Sequence, residues 1–456
     1  MDILNSILAF VWFMYFWESY LSRRQRRVYE TSLKVPKELT SVIDESTFNK
    51  SRSYALDKSR FGFWHGLYSQ FEATLILKLG GYAALWAASG RVLDYFDMSR
   101  DQEIVQTLVF TTLGQLFSTV TGLPWTLYST FVLEERHGFN KMSLGFFLKD
   151  MLKKLLLSQV LTLPLLALIV QIIKVGGEYF YVYAWAAVFV ISLVLMHVYP
   201  EFIAPLFDRY DPLPEGELKQ KIERLAASLE YPLTKLYVVD GSKRSAHSNA
   251  YMYGFHKNKR IVLFDTLLED YTPVGRGGGD EAAVVDAADA GDKATSEKKI
   301  GCNNEEVVAV LAHELGHWYH SHMLKNVAII QAKIFLSFFI FGKLMYVSSL
   351  FEAFGFPEGE QPILIRLIVI FSFVFAPFDE IEEFLMHLLS RCFEFQADEF
   401  AVRLGKRELL KSSLLKLHKD NLSFPVADWM YSARHFSHPP ILERLRAMEQ
   451  IKLKGE

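Results

Sequence analysis

Seven apolar stretches divide this chain, and they restrict its fold more than any other feature. A helix of roughly 20 apolar residues spans the hydrocarbon core of a membrane. The chain is 51% hydrophobic and still 22% charged, which is typical of membrane spans that alternate with polar segments. We therefore predict a mostly α-helical multi-pass membrane protein. Its transmembrane helices, about seven in number, are expected at residues 3–20, 74–89, 104–127, 155–173, 180–199, 327–350 and 363–378.

Polar side chains in or beside these stretches bear on what the helices enclose. Glu72, Lys78 and Gln115 would be costly in lipid, so a wetted interior surrounded by the helices would suit them. Snorkelling at the membrane surface is the alternative, and it explains Lys78 better than Gln115.

The charges around the first apolar stretch indicate its orientation. Met1 and Asp2 provide no basic region before it, so we expect a retained anchor rather than a cleaved signal peptide. Four arginines follow it, and basic loops stay on the cytosolic side of a membrane. The N-terminus is therefore predicted to be luminal and, with an odd number of spans, the C-terminus cytosolic. The arginines are Arg23, Arg24, Arg26 and Arg27.

Composition excludes other classes. The net charge of −3 and the lack of a basic stripe with interleaved aromatic residues give no sign of nucleic-acid binding. The two cysteines, Cys302 and Cys392, cannot form a disulfide framework, and they indicate that the polar part faces a reducing compartment.

The sequence His313-Glu314-Leu315-Gly316-His317 has the spacing of a metal site on a helix. Residues four apart lie on one helical face, so the two imidazoles can bind one zinc ion, and Glu314 can act as a general base. Asn303 and Glu306 predict a capping box at the start of this helix. The alternative is an amphipathic helix whose two histidines merely have hydrogen-bond partners.

A catalytic zinc site usually takes a third protein ligand. Glu394 and Asp398 lie four residues apart among apolar neighbours, so one can bind zinc while the other accepts a hydrogen bond from a ligand histidine. We predict Glu394 as the ligand and Asp398 as the partner of His313. The alternative is an ordinary acidic face of a solvated helix.

Two further residues stand near the C-terminus. His438 could donate a hydrogen bond to the oxyanion of a tetrahedral intermediate, and Arg444 could hold either that arrangement or the Glu394 carboxylate. Taken alone, a capping histidine and a surface arginine are the simpler interpretation.

The polar segment between the fifth and sixth spans has its own pattern. A helix is predicted at residues 215–229 and strands at 236–239 and 260–264. Such a sheet could offer an edge to an extended substrate or simply pack under the zinc helix. Residues 272–299 lack any apolar period, and we predict a disordered loop.

The division of the chain follows from these segments. Residues 1–199 form five spans, residues 200–326 a cytosolic domain with the zinc helix and a disordered loop at about 272–300, residues 327–388 two more spans, and residues 389–456 the part that carries the third ligand.

The motifs together resemble the CAAX prenyl protease 1 family, and the resemblance covers nearly the whole chain. It rests on the arginine-rich stretch and on residues 121–125, 134–139, 248–251, 313–318, 394–398 and 437–440. The resemblance implies a zincin-like α+β catalytic domain, built on the HExxH helix and a small sheet, and spans that enclose a chamber. It also implies one Zn²⁺ per chain, held by His313, His317 and Glu394, with Glu314 as base.

The remaining roles come from the same resemblance. Asn249, His438 and Arg444 would line the substrate or stabilise the intermediate, and Asp398 would support a ligand. The expected enzyme is a zinc metalloendopeptidase of the endoplasmic reticulum membrane, with the inner nuclear membrane as a second location left open. It would remove the last three residues of prenylated CAAX proteins such as prelamin A, with a second upstream cut in some relatives. A membrane quality-control metalloprotease and a non-enzymatic transporter or scaffold with a structural metal remain alternatives.

Overall fold

The computed structural model describes residues 2–40, 42–245, 247, 249–254, 259–269 and 301–452. Ser248 and the loop predicted to be disordered at 272–300 lie outside the described residues.

Helices make up most of the described chain. The N-terminal half contains α1 (Ile3–Thr31), α2 (Glu45–Lys78), α3 (Gly81–Tyr95), α4 (Glu103–Tyr128), α5 (Leu144–Val175) and α6 (Phe180–Val198). The remainder contains α7 (Glu217–Ser228), α8 (Asn304–Tyr319), α9 (His322–Leu344), α10 (Ser348–Glu352), α11 (Ile363–Val369), α12 (Ala376–Arg403), α13 (Arg407–Asp420), α14 (Trp429–His435) and α15 (Ile441–Gln450). The four strands are β1 (Tyr210–Pro212), β2 (Leu233–Val239), β3 (Ala250–Tyr253) and β4 (Lys259–Phe264).

Four helical segments in the described residues are long and apolar enough to cross a membrane. At most 17% of the apolar window of any of them is buried in the protein, which leaves their side chains free to contact lipid. A shorter apolar helix covers Ile363–Val374. The four segments are Glu103–Glu134, Leu144–Val175, Gly177–Leu206 and His322–Leu344.

The span predicted at residues 74–89 is wrong as a single helix. Helix α2 ends at Lys78 and α3 begins at Gly81, with Gly80 between them at φ 65°. This left-handed conformation suits glycine, which has no Cβ to clash, and it breaks the helix inside the apolar stretch. Hydropathy therefore detected an apolar region correctly but could not detect the turn within it.

A cavity of about 1560 Å³ lies beside α1 and α2. Its wall also includes residues 421–425 and the segment 436–441, which contains His438. Helices α1 and α2 thus border a partly open cavity that reaches the C-terminal segment. The four apolar helical segments and the sheet described below confirm the predicted fold class, a multi-pass helical membrane protein with a small α+β unit.

The four strands form one mixed sheet in the order β1-β2-β4-β3. Strands β2 and β4 are parallel, and β1 and β3 pair antiparallel with them at the two edges. The two predicted strands and the predicted helix at 215–229 are confirmed as β2, β4 and α7, whereas β1 and β3 were not predicted. Alternate residues of β2 and β4 point to one face of the sheet and form a core with α7 and α8. The strands contribute Leu236, Val238, Ile261 and Leu263, and the helices contribute Ile222, Val307 and Leu311.

This core supports α8 from below, so the sheet does pack under the helix. Strand β3 also lies against α8, and in the described part of the chain it pairs on one side only, with β4. Both interpretations of the sheet therefore remain compatible with its position.

Candidate metal centre

Helix α8 begins at a capping box, as predicted. The Asn303 side chain accepts a hydrogen bond from the Glu306 N–H, and the Glu306 carboxylate accepts one from the Asn303 N–H. The capped helix is buried on most sides, and it points His313 and His317 to one face. Their Nε2 atoms lie 3.2 Å apart and their rings are nearly perpendicular, at 83°. Two imidazole nitrogens therefore converge on one point.

Helix α12 crosses α8 at Gly316, between the two histidines. A Cβ on Gly316 would lie 3.0 Å from the Cα of Ala397, so only glycine permits this approach. The crossing brings Glu394, three residues before Ala397, onto the histidine pair. Its Oε1 lies 3.3 Å from His317 Nε2 and its Oε2 lies 3.5 Å from His313 Nε2.

The three side chains fit a metal ion. One ligand atom from each lies within 4.8 Å of the others. Glu394 is only 4% exposed, and its Oε2 has no hydrogen-bond donor among the described residues, which is costly for a buried carboxylate oxygen without a further partner. Burial favours the neutral acid, but the adjacent His313 and His317 and the charge of Arg444 outweigh it and hold the pKa of Glu394 well below its usual range. Two nitrogens and one carboxylate are the ligand set of several catalytic zinc sites.

Asp398 and Arg444 hold the far side of His313. The Asp398 Oδ1 lies 2.9 Å from His313 Nδ1, and Arg444 donates to both Asp398 oxygens at 2.8 and 2.6 Å. Burial alone would lower the pKa of His313, but the hydrogen bonds to Asp398 and Glu394 raise it to about 9. The charged, buried pair therefore orients His313 so that its Nε2 faces Glu394.

The other predicted residues lie at different distances from this group. Glu314 follows His313 on α8 and is partly buried. His438 approaches from the cavity: its Nε2 lies 3.2 Å from Glu394 Oε1, although 64% of its side chain is exposed. Asn249 is exposed just before β3, and its Oδ1 accepts from the Ala250 N–H. Within the described residues, no hydrogen bond or ion pair joins Asn249 to the histidine–glutamate group.

Sequence reasoning missed an ionic network next to His438. Arg434 on α14 donates to Glu18 on α1 at 3.0 Å and to Glu383 and Glu380 on α12 at 3.0 and 2.5 Å. The network ties the segment that carries His438 to two long helices. The acidic run Asp379, Glu380, Glu382 and Glu383 carried a hint, since carboxylates near a membrane edge require partners.

It also missed the neighbours of His317. His322 and Gln396 form a hydrogen-bonded chain with this histidine. No spacing rule indicates them, because His322 follows the end of α8 and reaches His317 only through a turn.

Comparisons with known proteins cover nearly the whole chain. The family described as "CAAX prenyl protease N-terminal, five membrane helices" matches residues 25–209, and "Peptidase family M48" matches residues 212–452. The "CAAX prenyl protease 1 homolog" of Homo sapiens is 53% identical over 99% of this chain and 96% of its own length. The "CAAX prenyl protease 1" of Saccharomyces cerevisiae is 34% identical over 96% of this chain and 93% of its own.

A solved structure agrees. The "Crystal Structure of S. mikatae Ste24p" superposes with a TM-score of 0.86 at 34% identity, covering 98% of this chain and 99% of that one.

Membrane helices joined to an HExxH helix, with a glutamate from a distant helix beside its two histidines, define a membrane-embedded metallopeptidase. The matches to both halves narrow this class. The chain belongs to the CAAX prenyl protease 1 family, within peptidase family M48.

Proposed function

We propose that this protein is a zinc metalloendopeptidase that removes the C-terminal aaX tripeptide from prenylated CAAX proteins. The observation that carries the proposal is the convergence of His313, His317 and Glu394 within 4.8 Å. Glu394 lies 3.2 Å from His438, which lines a cavity of about 1560 Å³. The names of the relatives support the substrate class.

His313, His317 and Glu394 would hold one zinc ion and leave a position open to the reaction. When bound, the ion would polarise the scissile carbonyl and an attacking water. Glu314 takes the proton of that water and returns it to the leaving amine. His438 donates a hydrogen bond to the oxyanion as charge develops on the carbonyl oxygen.

Two other groups prepare the site. Asp398, itself held by Arg444, fixes the ring orientation of His313 through a buried hydrogen bond. Asn249 stands at the start of the edge strand β3, where an extended peptide can pair with the strand and pass in front of α8.

The proposed setting follows the charges and the spans. The lipid bilayer surrounds the helices of residues 1–199 and 327–388, and residues 200–326 and 389–456 together form the catalytic domain. The arginines after the first span support a luminal N-terminus and a catalytic site on the cytosolic or nucleoplasmic side. We propose the endoplasmic reticulum membrane as its location, with the inner nuclear membrane continuous with it.

A cleavage assay tests the proposal. Purified protein in lipid nanodiscs is given a farnesylated CAAX peptide and the same peptide without the lipid, with and without a zinc chelator. We expect the tripeptide to be released from the farnesylated peptide only, and the chelator to abolish the reaction. Mass spectrometry identifies the bond that is cut.

Glu314→Gln is the matched control, because it keeps the shape of the site and removes the base. Equal cleavage of both peptides, at bonds unrelated to the cysteine, would instead support a membrane quality-control protease.

A further inference from the structure

The second histidine of the pair has a hydrogen-bonded partner of its own. His317 Nδ1 lies 2.9 Å from the Nδ1 of His322, and His322 Nε2 lies 2.8 Å from Oε1 of Gln396. Two facing ring nitrogens form a hydrogen bond only if one donates and the other accepts.

The amide oxygen of Gln396 decides the direction of this chain. An amide oxygen can only accept, so His322 Nε2 carries the proton, and in a neutral imidazole its Nδ1 is then the acceptor. His317 consequently donates through Nδ1–H, which leaves its Nε2 unprotonated. That Nε2 is the atom facing His313 and Glu394. The direction of the chain therefore matches what a metal ligand requires.

His322 is held firmly enough to act in this way. It is 2% exposed, and its ring stacks on Phe393 with the centroids 3.9 Å apart and the planes at 9°. Phe393 and Gln396 both belong to α12, the helix that carries Glu394.

A tight turn brings His322 back to α8. Helix α8 ends at Tyr319, Ser321 adopts φ 55°, and α9 begins at His322. A left-handed serine is uncommon and is kept where the surrounding structure requires the turn. Because α9 is one of the four helices able to span a membrane, the first residue of a membrane helix contacts the histidine.

We propose that His322 is a positioning residue for His317, and that Gln396 fixes the tautomer of His322. This inference rests on the proposed function only in taking His317 as a metal ligand. On the His313 side the acceptor is a carboxylate paired with Arg444. On the His317 side it is a neutral imidazole, which orients the ring without adding charge.

The experiment measures metal affinity rather than cleavage. Full-length protein in detergent is stripped of metal and titrated with Zn²⁺ against a chromophoric chelator, and Co²⁺ absorption reports ligand geometry. His322→Leu removes the acceptor and should weaken Zn²⁺ binding about 10- to 100-fold, as loss of such partners generally does, and change the Co²⁺ spectrum. His322→Asn places an amide oxygen near the lost nitrogen and should restore most of the affinity.

Two more variants complete the set. Gln396→Ala should weaken Zn²⁺ binding by a smaller factor, since His322 can then adopt either tautomer. His320→Leu is the matched control: it lies in the same turn with its ring 5.5 Å from that of His322 and should bind Zn²⁺ as the wild type does.

The outcomes separate positioning from a structural role. The inference is overturned if His322→Leu is folded and binds Zn²⁺ with unchanged affinity, or if His322→Asn binds no better than His322→Leu. If His322→Leu does not fold, His322→Asn and Gln396→Ala still decide, through the Co²⁺ spectrum. Zinc binding that follows these expectations in a protein without cleavage activity would refute the proposed function and leave this inference standing.

Discussion

The two histidines lie on the same face of α8 but have different neighbours. His313 is 6% exposed and contacts a carboxylate that is itself paired with a buried arginine. His317 is partly exposed and contacts a neutral imidazole at the start of a membrane helix. The comparison shows that buried charges orient His313, whereas the orientation of His317 depends on where α9 begins.

Glu394 touches both sides, so its removal should have the largest effect. Glu394→Ala deletes the carboxylate shared by His313 and His317 and should abolish stoichiometric metal binding along with cleavage. Metal analysis of the purified protein checks this. Zinc retained at one ion per chain would assign the third ligand elsewhere.

Glu314→Gln should separate chemistry from binding. The substitution leaves both histidines, and hence both sides of the comparison, unchanged, so zinc content should match the wild type. Cleavage should fall by about 10²- to 10⁴-fold, the usual contribution of a general base. Zinc content and cleavage rate are measured on the same preparation. Full activity would exclude Glu314 as the base, and loss of zinc would make it a structural residue.

Asp398→Asn tests the charged side. The amide keeps the size of the side chain but removes the nearer of the two anions that face buried Arg444, leaving Glu394 at 3.5 Å. We expect metal affinity to fall about 10- to 100-fold. The free energy of unfolding should fall by about 3–5 kcal/mol, as for other broken buried ion pairs. Thermal unfolding and zinc titration measure the two effects.

Combining Asp398→Asn with His322→Leu sharpens the comparison. If the two sides act independently, their effects on the free energy of zinc binding add. A double variant no weaker than Asp398→Asn alone would show that the two sides act as one unit.

Gly316→Ala should have the smallest of these effects. The added methyl group would meet the backbone of Ala397 at 3.0 Å, so α8 and α12 must separate slightly. Such overpacking typically costs about 1–3 kcal/mol of stability. We expect a lower melting temperature and a modest loss of zinc affinity, with Gly145→Ala on α5, where a Cβ meets open space, as the control. Equal melting temperatures for the two variants would argue against a tight crossing.

Much of the fold could be predicted because its signals are local. The capping box at Asn303, the spacing of His313 and His317, and the strands β2 and β4 all depend on neighbours within a few residues. The break at Gly80 was not predicted, because the pair Gly80-Gly81 within an apolar stretch is compatible with both a helix and a turn.

The surroundings of the site divide in the same way. The four-residue spacing of Glu394 and Asp398 was visible in the sequence. Their contacts with His313 were not, because Asp398 is 85 residues away along the chain and reaches His313 only through the crossing of two helices. The interaction of Arg434 with Glu18 joins residues 416 apart, and no period in the chain encodes it. The roles of Glu314, His438 and Asn249 stay predictions.

The amino-acid sequence by itself determined the alternation of apolar and polar segments, the helical face of the two histidines and the carboxylates able to join them, because each follows from the period of a helix or the length of a membrane span. Only the tertiary structure decided that α12 crosses α8 at Gly316, that Arg444 neutralises Asp398, and that a left-handed turn at Ser321 returns His322 to His317. The physical reason is that these contacts arise from close packing between elements distant in the chain, where a difference of one ångström decides whether two polar atoms meet.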